Sequence, residues 1–482
     1  MIGQTAQLSI WYLLGLATGM LVCDRLPFVF HCFTAIFWGV LLWTVAWLTA
    51  LYLPVGNLRW TAGLIVAGVL LLLACRRVYR GVSKPRGVHV VLAVCVLAGL
   101  ILVAWFAAYR RVAAGSFDSV ALILLGRSML ENGLSPWVGA RLGSRSAMIP
   151  MLHGAGVLDG GNCLYGLQPV LAVSLALTFC YMAWRVISRI CSCRRTALFF
   201  SLLACGVLFS SRIMFFQSFY IHDNLAAGAF FFIAVVSLWL ALAETNYAWL
   251  VPATWALVSC SLVRLEGALY VLIPLALACK ELPYGRRLTL TLPVLTVVVV
   301  WNVCLFQGVT GGAASFFSPG RLVALLGMMC AFGALVSLSF NRIVDRLAVR
   351  RLDVLMLVSL VIALVVILLL EPRHTTSSAL AFLKNMVPPW SVRESWWGLT
   401  WILMAVAYVL SLGKGGFPFE RLLQSCTVAF FLLTLILCYG RPPYRVGWGD
   451  SANRMLTHIA PIALLYVFAR HASFFKKPQQ NS

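Results

Sequence analysis

Long apolar runs separated by short polar breaks carry the chain from its first residues almost to its last. Runs long enough to cross a bilayer, roughly 17–25 residues each, fall near 6–23, 27–53, 60–75, 88–109, 165–184, 196–211, 223–243, 246–262, 266–280, 288–306, 321–340, 352–370, 397–412, 422–439 and 455–470. Several are short, so the pattern predicts about thirteen to fifteen transmembrane helices. The expected fold class is an all-α polytopic membrane protein, with surface helices in the long break between Arg110 and Tyr165.

That break, 110–165, is the longest stretch that does not span. Within it, Ser116 is suited to cap a helix N-terminus, and Gly133 after Asn132 is suited to stop one. Phe117, Val120, Ala121, Leu124, Leu125 and Met129 recur between them at helical spacing, while Asp118, Arg127 and Glu131 stay off that face. This predicts a short amphipathic helix along a membrane surface rather than across it. Asp118 falls in its first turn, where unpaired backbone N–H groups favour an ionised carboxylate.

Composition sharpens the class. The chain is 62% hydrophobic and 11% charged, whereas a soluble domain is nearer half apolar and a quarter charged. No charged leader with a small-residue cleavage site precedes the first run, so no removable signal peptide is expected. The formal charge of +23 does not indicate nucleic acid, because basic and aromatic residues do not interleave outside the apolar runs. It reflects basic loops that set topology and touch anionic headgroups. With 110–165 outside, the Arg- and Lys-rich segments 76–87, 185–195, 280–287, 341–353 and 413–421, and the tail 471–482, all fall in the cytoplasm. The sequence thus predicts a multi-pass inner (plasma) membrane protein of bacterial type, with its C-terminus cytoplasmic. Most of the fifteen cysteines sit in apolar runs, where Cys is a small hydrophobe. Cys191 and Cys193 make only one CxC, too little for zinc. Cys163 is expected in an external loop, and the cysteines imply no disulfide framework.

The ionisable residues at span edges gather on the outer side: Asp118, Glu131, His153, Asp159, His222, Asp223, Arg264, Glu266, Glu371, His374, Glu394, Arg441, Arg445, Asp450, Arg454 and His458. Charges there are costly unless solvated or paired, so as a set they mark a candidate site. Four junctions stand out. Phe117-Asp118-Ser119 opens the surface helix. His222-Asp223-Asn224 precedes a long apolar run, where Asp223 is either a cap or a ligand. In Arg264-Leu265-Glu266-Gly267, Arg264 either pairs with Glu266 or offers its planar fork to a phosphate. Arg445 and Arg454 flank the last run, where they either snorkel or meet a lipid phosphate. His458 lies four residues after Arg454 on one helical face, and is either a packed histidine or a support to the site. There is no Walker loop, GxGxxG after a strand, HExxH or GxSxG, which argues against an ATP-driven pump or a soluble-type hydrolase.

These junctions together resemble the GT-C superfamily of polytopic glycosyltransferases, which includes protein O-mannosyltransferases and lipid A aminoarabinose transferases. Phe117-Asp118-Ser119 is similar to the acidic site of that family's first external loop, and His222-Asp223-Asn224-Leu225-Ala226 to its second. Arg264-Leu265-Glu266-Gly267 is similar to its Lys/Arg-x-Glu-Gly turn, and the stretch Asn453 to Pro461 to its final span. The resemblance implies a core over 88–470, with extra helices over 1–87. It implies a polyprenyl-phosphate-linked sugar donor reached from the membrane lipids, and a lipid, glycan or protein acceptor entering from outside. Asp118 would be the general base, and Asp223 would orient the acceptor or hold a divalent ion. Arg264, Arg454 and Arg445 would hold the donor phosphate, and His222, Glu266 and His458 would support the acceptor or the site. No cofactor is required, and a divalent cation is left open. The competing expectations are a flippase or other transporter of a lipid-linked glycan, and a glycan polymerase or ligase.

Overall fold

The computed structural model describes residues 2–52, 58–80, 87–113, 117–133, 135, 137–138, 141, 147–157, 163–309, 319–387, 397–411, 416–439, 442–447 and 450–475. Ser116, Asp159, Glu394, Arg441 and most of the tail lie outside them. Among the described residues the protein is helical throughout, without strands.

The chain begins with α1 (Ile2–Val22), α2 (Phe28–Tyr52), α3 (Leu58–Arg80) and α4 (Gly87–Arg110), followed by two shorter helices, α5 (Phe117–Asn132) and α6 (Met148–Val157). Next come α7 (Leu167–Ile190), α8 (Arg194–Ser210), the short α9 (Arg212–Gln217), α10 (Asn224–Ala243) and α11 (Leu250–Val263). The apolar run near 266–280 is broken into α12 (Gly267–Tyr270) and α13 (Leu272–Glu281). The second half holds α14 (Tyr284–Val309), α15 (Pro319–Leu338), α16 (Arg342–Leu347), α17 (Leu352–Leu370), α18 (Pro372–Met386), α19 (Thr400–Leu410), α20 (Glu420–Ile436) and α21 (Ser451–Ala472).

Eight helical stretches among the described residues are long and apolar enough to cross a membrane, and four further apolar helices are shorter. This is a multi-pass membrane protein. Large side chains such as Leu102 and Phe106 on α4 and Val361, Ile362 and Leu369 on α17 are exposed. Apolar surface of that extent is stable only against lipid. The charges withdraw to the two ends. At the end away from α5, Glu244 pairs with Arg185 and, at 3.4 Å, with Arg189. There too Lys280 meets Asp353 at 2.6 Å, Arg350 meets Asp345 at 3.0 Å, and Arg470 pairs with Glu420.

The core is built around α10, whose residues from Asn224 to Leu242 are all buried. Its Ala- and Phe-rich sequence has no polar face to turn outward. It packs against α21, and the approach is closest at Gly228, where a Cβ would come within 2.8 Å of the Thr457 carbonyl oxygen. With no side chain at 228 the two backbones meet, as small residues permit between membrane helices. At about 1.5 Å per residue α10 is about 30 Å long, the thickness of a bilayer's hydrocarbon core. Its two ends therefore lie in two separate polar layers.

Helix α5 ends where the sequence predicts, with Gly133 left-handed at φ 59°. Its packing face differs from the predicted one. Leu125 and Met129 are buried, but Val120 and Leu124 are exposed, and Ser119 and Leu122 are buried in their place. The face is rotated because α5 packs on α6 and on the chain before α10, where Ser119 Oγ donates to the Ile221 carbonyl at 2.9 Å. Two residues of the 110–165 break are also buried. Cys163 is buried, and its carbonyl accepts from Gln4 Nε2 at 2.9 Å. His153 is likewise buried on α6, accepting at Nδ1 from the Leu164 N–H at 3.3 Å. Gln4 from α1 bonds to this loop and α2 packs against α6, contacts that hydropathy of the loop alone does not reveal. The surface helix α18, within a segment that reads as a simple loop, is a further addition.

Candidate active site

The site forms where the starts of α5, α10 and α21 and the end of α11 meet. Asp223 occupies the cap position of α10, and its carbonyl accepts from the Ala227 N–H at 2.9 Å. Its side chain makes no cap bond. The carboxylate turns instead to Arg264, whose Nη1 donates to Oδ1 at 2.9 Å. Arg264 can reach because it ends α11 in an extended conformation (φ −138°, ψ 144°), which swings it off the helix. The same Nη1 donates to Asn224 Oδ1 at 2.6 Å, and Nε donates to Glu266 Oε2 at 3.3 Å.

Arg454 arrives from the first turn of α21. That turn is fixed by Asp450, whose carboxylate caps it by accepting from the Ala452 N–H at 2.8 Å. Arg454 Nη1 donates to Asp118 Oδ2 at 3.1 Å and contacts His222 Nε2 at 3.2 Å. A guanidinium only donates, so Nε2 holds the lone pair and the neutral ring carries its proton on Nδ1. That nitrogen lies against Asp223 Oδ1. The ring stacks on Tyr220 with centroids 5.3 Å apart, and the His222 carbonyl accepts from Gln168 Nε2 at 2.9 Å.

The result is one string: Asp118, Arg454, His222, Asp223, Arg264, Glu266. Its most open side chain is Asp118, 26% exposed, whereas Arg454, His222, Asp223, Arg264 and Glu266 are 12%, 6%, 10%, 11% and 8% exposed. Asp118 is therefore the member that a solute meets first. Burial alone would raise the Asp223 carboxyl, but Arg264 and His222 overcome it and hold it well below the usual carboxylate range. Burial pushes His222 below the ordinary imidazole value, and the neighbouring Asp223 only partly offsets this. Arg264 is raised, since Asp223 and Glu266 outweigh its own desolvation. Three carboxylates stand against two guanidiniums, so with His222 neutral the string has a formal charge of −1.

Of the residues singled out in the sequence, Asp118, His222, Asp223, Arg264, Glu266 and Arg454 are thus brought together. His458 lies one turn deeper on α21, fully buried, its ring set edgewise to Tyr270 and Phe430 at 5.7 and 6.0 Å. It stands behind the string and is not in its hydrogen-bond chain. Arg445 has an exposed side chain, and its backbone makes the contacts: the N–H donates to Asp450 Oδ1 at 2.8 Å, and the carbonyl accepts from Asn385 at 2.9 Å. Glu131 pairs with Arg127 on the exposed side of α5 at 2.8 Å, and His374 contacts the Cys438 carbonyl at 3.2 Å.

Sequence reasoning did not assign Asn224, Gln168 or the capping role of Asp450. Asn224 had a signal, standing beside Asp223 at a helix start; Gln168 had none. Among the described residues no three His, Cys, Asp or Glu group as a metal site would need. No family model, no curated protein and no solved structure matches the chain.

Proposed function

We propose that the protein is an inverting integral membrane glycosyltransferase that moves a sugar from a polyprenyl-phosphate-linked donor to an acceptor hydroxyl. The observation that carries this reading is the pairing of Asp118 with Arg454 at 3.1 Å, at the open end of a buried charge string. It sets a carboxylate that can take a proton beside a guanidinium that can take a phosphate, the two groups such a transfer needs.

In the reaction, the acceptor oxygen attacks the anomeric carbon while its proton passes to Asp118. The bond from that carbon to the phosphate oxygen breaks, its electron pair leaves with the phosphate, and Arg454 faces the added charge. Asp118 tied to Arg454 at a helix start is a weak base. A donor phosphate that draws Arg454 to itself loosens that tie, so the base strengthens when donor is present. Arg264 keeps Asp223 ionised and holds both it and Glu266 in place, which orients His222 from behind.

A lateral apolar groove of about 270 Å³ between α19, α20 and α21, lined by Trp401, Tyr408, Phe431 and Tyr466, supports a lipid-linked donor. Trp401 packs on Trp397 at 5.3 Å, and Trp397 Nε1 donates at 2.6 Å to Asn453, the residue before Arg454. In the same reading the bundle crosses the membrane thirteen to fifteen times. The string faces the external or periplasmic side, and the basic end and the C-terminus lie in the cytoplasm of a bacterial-type cell.

The test is transfer of radiolabelled sugar from a polyprenyl-phosphate donor in membranes carrying the wild-type chain or Asp118→Asn. Transfer that is lost in a folded Asp118→Asn supports the reading. Equal transfer in both removes Asp118 from the chemistry. No transfer from any such donor favours movement of a lipid-linked glycan across the bilayer.

A further inference from the structure

His222 and Asp118 depend on the same nitrogen. Arg454 Nη1 serves both, so any ligand that claims this guanidinium deprives two acceptors at once. Asp118, at 26% exposed, can recover its lost partner from water. His222, with a side chain 6% exposed, cannot.

The groups around the ring come from several elements. Asp223, from its own segment, faces Nδ1, and Arg454 from α21 faces Nε2. Tyr220 covers one face of the ring, and Gln168 from α7 holds the backbone. Arg264, at the end of α11, acts through Asp223; Glu266 lies behind Arg264, and His458 lies deeper on α21. Among the described residues, the one cation touching the ring is thus the one that the ligand would draw away.

We propose that binding of a phosphodiester at Arg454 is coupled to uptake of one proton by His222, so that the site admits its anionic ligand together with H⁺. This rests on the reading in which a phosphate meets Arg454. Once Arg454 turns to the ligand, the Nε2 lone pair is left facing an anion in a poorly hydrated site, where no neutral acceptor is satisfied. A proton from solvent, placed on Nε2, makes the ring a donor on both sides, to the phosphate and to Asp223. The formal charge supports this. The string stands at −1 before binding, a phosphodiester takes it to −2, and the proton returns it to −1. Transfer then turns the diester into a monoester with a second negative charge, which the imidazolium and Arg454 face together. Asp118 remains ionised and open to the acceptor hydroxyl.

The experiment is isothermal titration of the full chain in detergent with farnesyl methyl phosphate, an isoprenoid phosphodiester that has no sugar to transfer and does not titrate near neutrality. Heats are measured near pH 7 in two buffers of different ionisation enthalpy, and the affinity is followed with pH. The expected result is net proton uptake approaching one per ligand. Affinity falls by up to about tenfold per pH unit between the values at which free and bound His222 titrate, and levels off above the bound value. Uptake is lost in His222→Gln and kept in Asp118→Asn. Heats that are independent of buffer, uptake that survives His222→Gln, or uptake lost in Asp118→Asn each overturn the proposal. Should His222→Gln not fold, wild type and Asp118→Asn decide it between them. Failure of the wild type to bind the probe at all overturns the phosphate reading and this coupling with it. Binding without proton uptake overturns the coupling alone.

Discussion

Arg454 and Asp118 are separated by 336 residues in sequence and meet at 3.1 Å. The contact joins the start of a half-open surface helix to the start of the most buried C-terminal helix. Because Asp118 is 26% exposed, the pair contributes little to stability, about 0–1 kcal/mol for an ion pair in contact with solvent. Asp118→Asn is therefore expected to leave the thermal unfolding midpoint in detergent nearly unchanged, while sugar transfer falls by about 10²–10⁴-fold, the usual worth of a general base. A midpoint that collapses together with transfer would assign Asp118 to the fold instead.

The opposite balance is expected at Arg264. Its removal leaves Asp223 and Glu266, both buried, without their shared cation. Breaking a buried pair in this way costs about 3–5 kcal/mol, so Arg264→Ala is expected to lower the unfolding midpoint sharply or to abolish accumulation in membranes. Arg264→Lys retains the charge but loses the fork that serves Asp223, Asn224 and Glu266 together. It is expected to fall between the two, and a lysine variant as stable as wild type would contradict the geometry.

Gly228 permits a test that touches no charged group. A Cβ there meets the Thr457 carbonyl oxygen at 2.8 Å, so Gly228→Ala is expected to push α21 from α10 at a cost of about 1–3 kcal/mol. The shift moves Arg454, three residues before Thr457, relative to His222 and Asp118. Transfer is expected to weaken more in Gly228→Ala than in a control Gly→Ala where space is open, such as Gly206 on α8. Equal effects at both positions would show that the close approach does not position Arg454.

Acid sensitivity follows from the buried neutral histidines. His153 titrates at about 3 in the folded protein, lowered from 6.5 by burial. Its folded value lies below its unfolded one, so the unfolded chain binds more protons between the two, and stability falls as pH drops from about 6.5 towards 3. His222 is shifted in the same direction. The unfolding midpoint is expected to decline on acidification from pH 7 to 5, and His153→Gln to flatten part of that slope. An unchanged slope in a folded His153→Gln would remove His153 as a contributor.

The helical class, most of the apolar helices and six of the eight candidate site residues were legible in the sequence, for a definite reason. In a membrane protein, charged residues at the ends of apolar runs have few places to go. Asp223, Arg264 and Arg454 therefore had to find one another or water. Less legible was which side of α5 would be buried, because Val120 and Leu124 are apolar on either side and only packing on α6 decides between them. The part played by Arg445 through its backbone was invisible as well, since a basic residue after two prolines reads as a charge and not as a hydrogen-bonding turn. His458 shows the remaining ambiguity. Helical spacing puts it below Arg454, but nothing in that spacing tells an aromatic cage from a polar site.

Helix α10 is anchored by an acid at each end, Asp223 to Arg264 and His222, and Glu244 to Arg185 and to Trp249 Nε1 at 3.0 Å. A rod clamped in this way has a fixed effective length and cannot slide. Each added residue would also turn its head by about 100°, carrying Asp223 away from its cation. When the surrounding bilayer thickens or thins, the strain must be taken up by the loosely packed outer helices such as α4 and α17, through tilt. The separation between the two anchored ends then stays constant while the rim of the molecule adapts. The clamped helix acts as a gauge, keeping the buried charge string at one depth whatever the lipid composition around it.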